Sequence, residues 1–323
     1  MTGNIANPAC SVVIRAFNEE KHIGRLLTGL MEQTLSDIEI ILVDSGSTDG
    51  TLKVMANFPV RLVLVYPDEF SFGRSLNRGI AQARSERIVI ASAHVYPVYP
   101  DWLERLLAPL EDPQVALAYG KQRSPASAHF SEKQVFARWY PDHSVPRQAH
   151  PFCNNANAAI RRTLWQRRPY DEALTGLEDL DWARWAMGQG YTISYVAEAE
   201  VIHVHNESAG SVYNRYRREA MAFKHIFAHE QFRLTDLVRL VVGNIASDAW
   251  HAARQRVLRQ NLAGILWFRW MQFWGTYQGY RHSGPLTRQL RQTFYYPPGM
   301  SAVPRLAPRE VEPIQYNDLV EGP

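Results

Sequence analysis

Ser11-Val12-Val13-Ile14-Arg15-Ala16-Phe17-Asn18-Glu19-Glu20 and Ile38-Glu39-Ile40-Ile41-Leu42-Val43-Asp44-Ser45-Gly46-Ser47-Thr48-Asp49-Gly50 together decide the fold class of this chain. Each is a short β-rich run ending in a polar loop, and between them Ile23, Leu26, Leu27 and Leu30 recur at helical spacing. The alternation continues with a helix from Thr51 to Asn57, a strand over 60–65, a helix from Ser75 to Ala83 and a strand over 87–91. Such alternation predicts an α/β fold, a mainly parallel sheet flanked by helices on both faces. In sheets of this kind ligands bind beyond the carboxyl ends of the strands. Those ends carry Arg15 to Glu19, Asp44 to Asp49, and Ser92-Ala93-His94, all polar as a binding crevice requires.

Further along, a helix is expected over 101–110 and a strand over 115–119, then a long, partly ordered loop over 124–150 of the kind that shapes a substrate site. Regular structure resumes over 156–160, a helix runs over 179–189 to Gly190, and a strand follows over 191–196. From Tyr213 the pattern changes to long helices. Leu262, Leu266, Trp270, Phe273, Tyr277 and Tyr280 form a stripe among Arg254, Arg256, Arg259, Arg269 and Arg281. A basic helix with an aromatic face suits a membrane interface, although such a stripe can also pack on the body and leave its arginines in water. The expected organisation is an α/β body over 1–212, a basic aromatic helical extension over 213–296 and a proline-rich tail over 297–323.

With 323 residues, 46% hydrophobic and 21% charged, the chain is long enough for a sizeable core and reads as a soluble globular protein. Its net charge of +3 hides an asymmetry, since residues 213–296 carry 13 Lys/Arg against 4 Asp/Glu. Residues 1–212 are correspondingly acidic, at about −4. Two distant cysteines, Cys10 and Cys153, offer no disulfide framework and no thiolate cluster, which suits a reducing cytoplasm. The first residues lack a signal-peptide pattern, and no uncharged apolar run approaches the ~18 residues of a membrane span. A cytoplasmic location is expected, with possible peripheral contact at the inner face of the membrane.

One acidic cluster stands out, Gly176-Leu177-Glu178-Asp179-Leu180-Asp181-Trp182. Carboxylates beside a core are costly unless they pair, bind a cation or do chemistry. At a helix N-terminus they also favour the dipole while facing water, so the segment alone leaves both readings open.

The two opening motifs resemble those of family 2 glycosyltransferases. Further segments match a subgroup that includes bacterial rhamnosyltransferase-like enzymes: Phe72-Gly73-Arg74-Ser75-Leu76-Asn77-Arg78-Gly79, Tyr119-Gly120-Lys121-Gln122, Phe152-Cys153-Asn154-Asn155-Ala156-Asn157, and the acidic cluster itself. The resemblance covers roughly residues 10–225 and implies a GT-A fold that binds a nucleotide sugar. It implies Asp179 as the catalytic base, with Glu178 orienting the acceptor, in an inverting transfer to a bacterial glycan or lipid-linked acceptor.

On the donor side, Arg15, Phe17 and Glu19 are expected to cradle the base and ribose. Asp44 is expected to meet a uracil or thymine imide, with Ser47 nearby. Arg74 and Arg78 are candidate diphosphate partners, because a guanidinium fork matches phosphate oxygens. The clearest departure is Ser92-Ala93-His94, where family members usually hold a divalent cation with an Asp-x-Asp pair. Metal dependence on Mn²⁺ or Mg²⁺ then falls to His94 and His203, with His205 pointing the other way if the segment is a strand. Asp181 reads as structural and Trp182 as core. The expected partners are a UDP- or dTDP-sugar, a glycan or lipid-linked acceptor and a membrane surface, with no nucleic acid. The rival reading is a catalytically inactive sugar-nucleotide-binding or scaffolding protein. A nucleotidyltransferase is disfavoured, because the Arg15–Glu19 loop lacks the glycines of a phosphate loop.

Overall fold

Val12 and Ile14 face one side of the first strand and Val13 the other, and all three are fully buried. That strand, β1 (Cys10–Ala16), is therefore covered on both faces, as the helices around it require. The computed structural model describes residues 8–205 and 207–282; the tail over 297–323 and the end of the extension lie outside the described residues. After β1 come α1 (Ile23–Met31), β2 (Ile38–Asp44), α2 (Thr51–Met55), β3 (Val60–Leu64), α3 (Phe72–Ala81) and β4 (Arg87–Ser92). Strand β2 pairs with β1 and β3, and β1 with β4, all in parallel. The loops after β1, β2 and β4 therefore emerge at one edge of the sheet.

The second half departs from the parallel pattern. It comprises β5 (Val95–Pro97), α4 (Trp102–Leu107), β6 (Val115–Arg123), α5 (Phe130–Trp139), β7 (Asn157–Arg161), α6 (Arg162–Arg167), α7 (Glu178–Gly188) and β8 (Thr192–His203). The sheet order is β3-β2-β1-β4-β7-β6-β8-β5, with β7 antiparallel to both β4 and β6, and β5 antiparallel to β8. Asn157, buried in β7, ties this half together. Its amide donates to the Ala199 carbonyl at 2.9 Å and its oxygen accepts from the Trp102 indole at 3.0 Å. The stretch expected as a loop over 124–150 contains α5, whose inward face includes the polar Ser131 and Glu132. Those inward polar residues break the apolar repeat by which a helix is recognised.

Three long helices follow, α8 (Ala209–Ile226), α9 (Leu234–Arg254) and α10 (Leu258–Arg281). Helix α10 lies against α8 closely enough that a Cβ on Gly275 would sit 2.5 Å from the Tyr213 carbonyl, and one on Gly279 2.4 Å from that of Arg217. Only residues without a side chain allow that approach. The buried face of α10 also holds Arg269, which donates to both Asp248 oxygens at 2.7 and 3.0 Å and so locks α10 to α9. Arg269 is thus an internal brace and not one of the solvent-facing arginines of the stripe. Leu262, Leu266 and Trp270 are exposed, as are Leu234, Val238 and Val242 on α9, so the outer part of the stripe does not pack on the body. Among the described residues no helix is long and apolar enough to cross a membrane.

Candidate functional site

The polar loops after β1 and β4, with the N-terminus of α7 and the start of α8, line a cleft at the carboxyl edge of the sheet. Its floor is Asp179. Glu178, Asp179 and Asp181 occupy the first turn of α7, yet Glu178 and Asp179 are 4% and 8% exposed. That burial removes the reading in which these two acids sit at a helix start and face water. Asp181 pairs with Arg168 at 2.7 Å, and Trp182 is fully buried with its indole donating to the Arg168 carbonyl. Leu177, just before the acids, is held at φ 57°, a left-handed conformation that costs a non-glycine residue ~1–3 kcal/mol and concentrates at functional sites.

Asp179 is held from two sides. Its Oδ2 accepts from the Asn155 N–H at 2.9 Å and its Oδ1 from the Leu180 N–H at 2.8 Å. Each oxygen keeps a lone pair for a further donor. Burial, and then the neighbouring Glu178 charge, raises the Asp179 carboxyl to about 7, against the two backbone hydrogen bonds. A carboxylate poised near neutral pH is the property a general base needs. Glu178 faces Arg15, 3.3 Å from its Nη1, and the Asn155 amide at 3.4 Å. Arg15 in turn lies over the Phe72 ring.

Above the acids, three histidines converge. His94 Nδ1 lies 2.7 Å from Glu19 Oε1, His203 Nδ1 2.7 Å from Gln122 Oε1, and His205 Nδ1 2.6 Å from Glu132 Oε1. On His203 and His205 these oxygens select the tautomer with its proton on Nδ1 and leave Nε2 as the ligand atom, the arrangement that orients metal-binding histidines, while His94 Nε2 lies 3.1 Å from the Ser92 hydroxyl. The Nε2 atoms of His203 and His205 are 3.0 Å apart, and one ligand nitrogen from each of the three rings falls within 4.8 Å of the others. Burial, followed by neighbouring positive groups, pushes His203 well below the ordinary imidazole value and His205 down to about 3. Both stay neutral, as ligands must. At this separation the two Nε2 atoms either share a proton in a hydrogen bond or face a common cation, so the residues present fit a divalent cation. Three imidazoles suit Mn²⁺ or another nitrogen-accepting ion better than Mg²⁺, which prefers oxygen. His205 joins the cluster because β8 ends at His203, so strand alternation no longer sets its direction.

The remaining expected residues divide. Phe17 and Glu19 line the cleft, but the Glu19 carboxylate is turned to His94. Asp44 is buried and does not line it. Its Oδ2 accepts from the N–H groups of Gly46 and Ser47, both at 3.0 Å, while the Ser47 hydroxyl bonds Oδ1 and accepts from Asn18 N–H at 2.9 Å. Arg74 and Arg78 do not line the cleft either. Arg74 is spent on Glu172 at 2.6 Å and the Glu69 carbonyl at 2.8 Å, and Arg78 on the Glu69 carboxylate at 2.8 Å. The cations that do line it are Arg15, Lys21, Arg215 and Arg218. Arg215 and Arg218 come from α8, which no sequence motif joined to the site. Asn155 and Gln122, by contrast, lie inside quoted motifs, and their work as holders of Asp179 and His203 was open to notice there.

Residues 11–171 match the model of Glycosyl transferase family 2. The chain is 26% identical over 196 residues to the O-antigen chain rhamnosyltransferase WbaN of Salmonella anatum, over 57% of this chain and 62% of that protein. It is 23% identical over 219 residues to the O-antigen chain rhamnosyltransferase RfbN of Salmonella typhimurium, over 64% and 69%. The match thus spans less than two thirds of the length of WbaN. Among solved structures, the mannosyltransferase PcManGT from Pyrobaculum calidifontis superposes with a TM-score of 0.56 at 21% identity, covering 85% of each chain, a likeness of fold. With the motifs in order along the sheet edge and the family match over the strands that carry the first of them, this chain belongs to glycosyl transferase family 2.

Proposed function

We propose that this chain is an inverting glycosyltransferase that moves a sugar from a nucleotide-sugar donor to a glycan or lipid-linked acceptor, with Asp179 as its general base. The observation that carries the reading is a buried carboxylate near neutral pKa, fixed by two backbone N–H groups at the floor of a polar cleft. In the reaction the acceptor hydroxyl gives its proton to Asp179 as its oxygen bonds to the anomeric carbon. The bond from that carbon to the diphosphate oxygen breaks, and its electron pair leaves with the nucleoside diphosphate. Inversion follows from attack opposite the leaving group.

The donor lies in the cleft against Phe17, where Arg15, Lys21, Arg215 and Arg218 are the cationic residues of the lining that face its diphosphate. His94, His203 and His205 hold a divalent cation, which when bound supplies positive charge to the departing diphosphate. PcManGT was solved with GDP-Man and Mn²⁺, which agrees with this reading. Glu19 and Glu132 act through the histidines they orient, and Glu178 positions Arg15 and Asn155. Asp44 and Ser47 act on the donor by fixing the 44–50 loop. Helices α8 and α10 belong to the basic extension and complete the site from outside the α/β body. The exposed apolar rows of α9 and α10, flanked by Arg254, Arg256 and Arg259, are proposed to rest on an anionic membrane surface. Indifference to anionic liposomes at low salt removes that last part.

The decisive experiment measures consumption of a panel of UDP-, dTDP- and GDP-sugars, with and without Mn²⁺, by the wild type and by Asp179→Asn. Turnover by the wild type and none by the variant, with both binding the donor, supports the reading. Donor binding without turnover in either favours the inactive sugar-nucleotide-binding protein.

A further inference from the structure

A second cavity of about 550 Å³ adjoins the donor cleft. The two share Asp179, His203, His205 and Arg215 among their lining residues, so the carboxylate read as the base is common to both. The cavity is otherwise unlike the cleft. Its walls are aromatic: Trp139 of α5 packs edge-on against Phe152 at 4.6 Å, Phe223 of α8 lies 4.6 Å from Phe227 just beyond that helix, and Phe232 is 5.7 Å from Tyr280 of α10.

Charge is confined to one end. Asp179, Glu219, His203 and His205 are shared with the cleft and Glu132 bonds His205, whereas His150 lies by Phe152; among the described lining residues the only arginine or lysine is Arg215. Its Nε and Nη2 donate to the Glu207 carboxylate, at 3.0 and 2.6 Å. Apart from Arg215, which it shares with the donor cleft, the chamber offers a diphosphate no arginine or lysine among its described lining residues, and it presents two further carboxylates, Glu132 and Glu219. A bare oligosaccharide meets carbon where its hydroxyls need partners, and burying unpaired hydroxyls is unfavourable. The size is that of a small-molecule pocket, with one polar end and one apolar end.

We infer that this cavity receives the acceptor's aglycone, and that the aglycone is an uncharged apolar group joined directly to the sugar or alcohol whose hydroxyl reaches Asp179. The inference rests on the reading of Asp179 as the base. It adds that the apolar chamber selects the acceptor by what lies behind the reacting hydroxyl, while donor recognition stays in the polar cleft. An acceptor with a charged group next to its reacting ring is disfavoured by the same walls.

The test uses the full chain and matched pairs of glycosides, hexyl and methyl, of L-rhamnose, D-mannose and D-glucose, titrated calorimetrically in the presence of UDP or dTDP. The hexyl member of the bound pair is expected to bind about tenfold tighter or more, since burying two or more methylenes supplies that much. Trp139→Ala, at a half-exposed position that the fold tolerates, and Phe227→Ala each reduce that advantage severalfold, and nucleotide affinity stays the same. Equal binding of hexyl and methyl glycosides, or a hexyl advantage that survives both substitutions, overturns the inference. Donor consumption followed in parallel separates the two readings. Consumption without hexyl preference removes the inference alone, whereas hexyl preference without consumption of any donor removes the transferase reading.

Discussion

The two chambers that meet at Asp179 are built by different parts of the chain and held by different forces. The donor cleft is made mostly of strand-end loops, and its side chains are paired with one another: Glu19 with His94, Arg15 with Glu178, Arg215 with Glu207. The aromatic cavity is made mostly of helix faces, from α5, α8 and α10, and is shaped by packing. The first chamber is preorganised by hydrogen bonds that fix charge and tautomer, so single-atom changes act on chemistry there. The second is preorganised by volume, so substitutions act through affinity or through helix placement.

Predictions that break or sharpen this contrast follow from the largest effect downward. Asp179→Asn removes the base and lowers kcat about 10²–10⁴-fold, the range for general-base catalysis, while calorimetry shows unchanged nucleotide affinity. A comparable loss of nucleotide affinity shows that the two sides are not separable. On the cation, Gln122→Leu leaves His203 in place without its orienting oxygen, and Mn²⁺ affinity read by electron paramagnetic resonance falls about 10–100-fold. Unchanged Mn²⁺ affinity rejects the histidine cluster as a site set by its outer partners.

For the packed chamber, Gly275→Val forces a side chain against the Tyr213 carbonyl and separates α10 from α8. Such overpacking costs about 1–3 kcal/mol in denaturant unfolding. Acceptor affinity falls in that variant and donor affinity does not.

The contrast also extends to pH. The Asp179 carboxyl is raised to about 7 from an ordinary value of 3.8, so between those values the folded state binds more protons than the unfolded one. Its contribution to stability is therefore present at acid pH and lost as pH rises to about 7, and constant above that. Activity runs the other way, rising as the carboxylate ionises. A stability slope between pH 3.8 and about 7 that differs between Asp179→Asn and the wild type in this direction supports the assignment, and equal slopes reject it.

Much of the body was legible. The runs at 11–14 and 38–43 became β1 and β2, and the loops that end them reached the sheet edge. The acids of the Glu178-Asp179 pair were singled out because charge among apolar residues is expensive wherever the fold places it. Less legible was α5, whose inward Glu132 looks like a surface residue until His205 is seen to take it as a partner. Arg74 and Arg78 show the opposite error. Their motif suggests phosphate, but Glu69, in the loop just before α3, and Glu172, far off in sequence, claim them.

The alternating strands and helices of the first half, the polar strand ends and the placing of charge at Glu178-Asp179 were determined by the sequence itself, because hydrophobic periodicity and the cost of misplaced charge are local properties. The three-histidine cluster, the contribution of α8 and the aromatic cavity were decided only by tertiary structure. Their residues come from 94, 136–139, 203–205, 215–227 and 280, and no local pattern records that a strand ends at His203 or that Gly275 lets one helix lie on another. Ligand geometry and cavity shape depend on distances between segments far apart in sequence, and packing alone sets those distances.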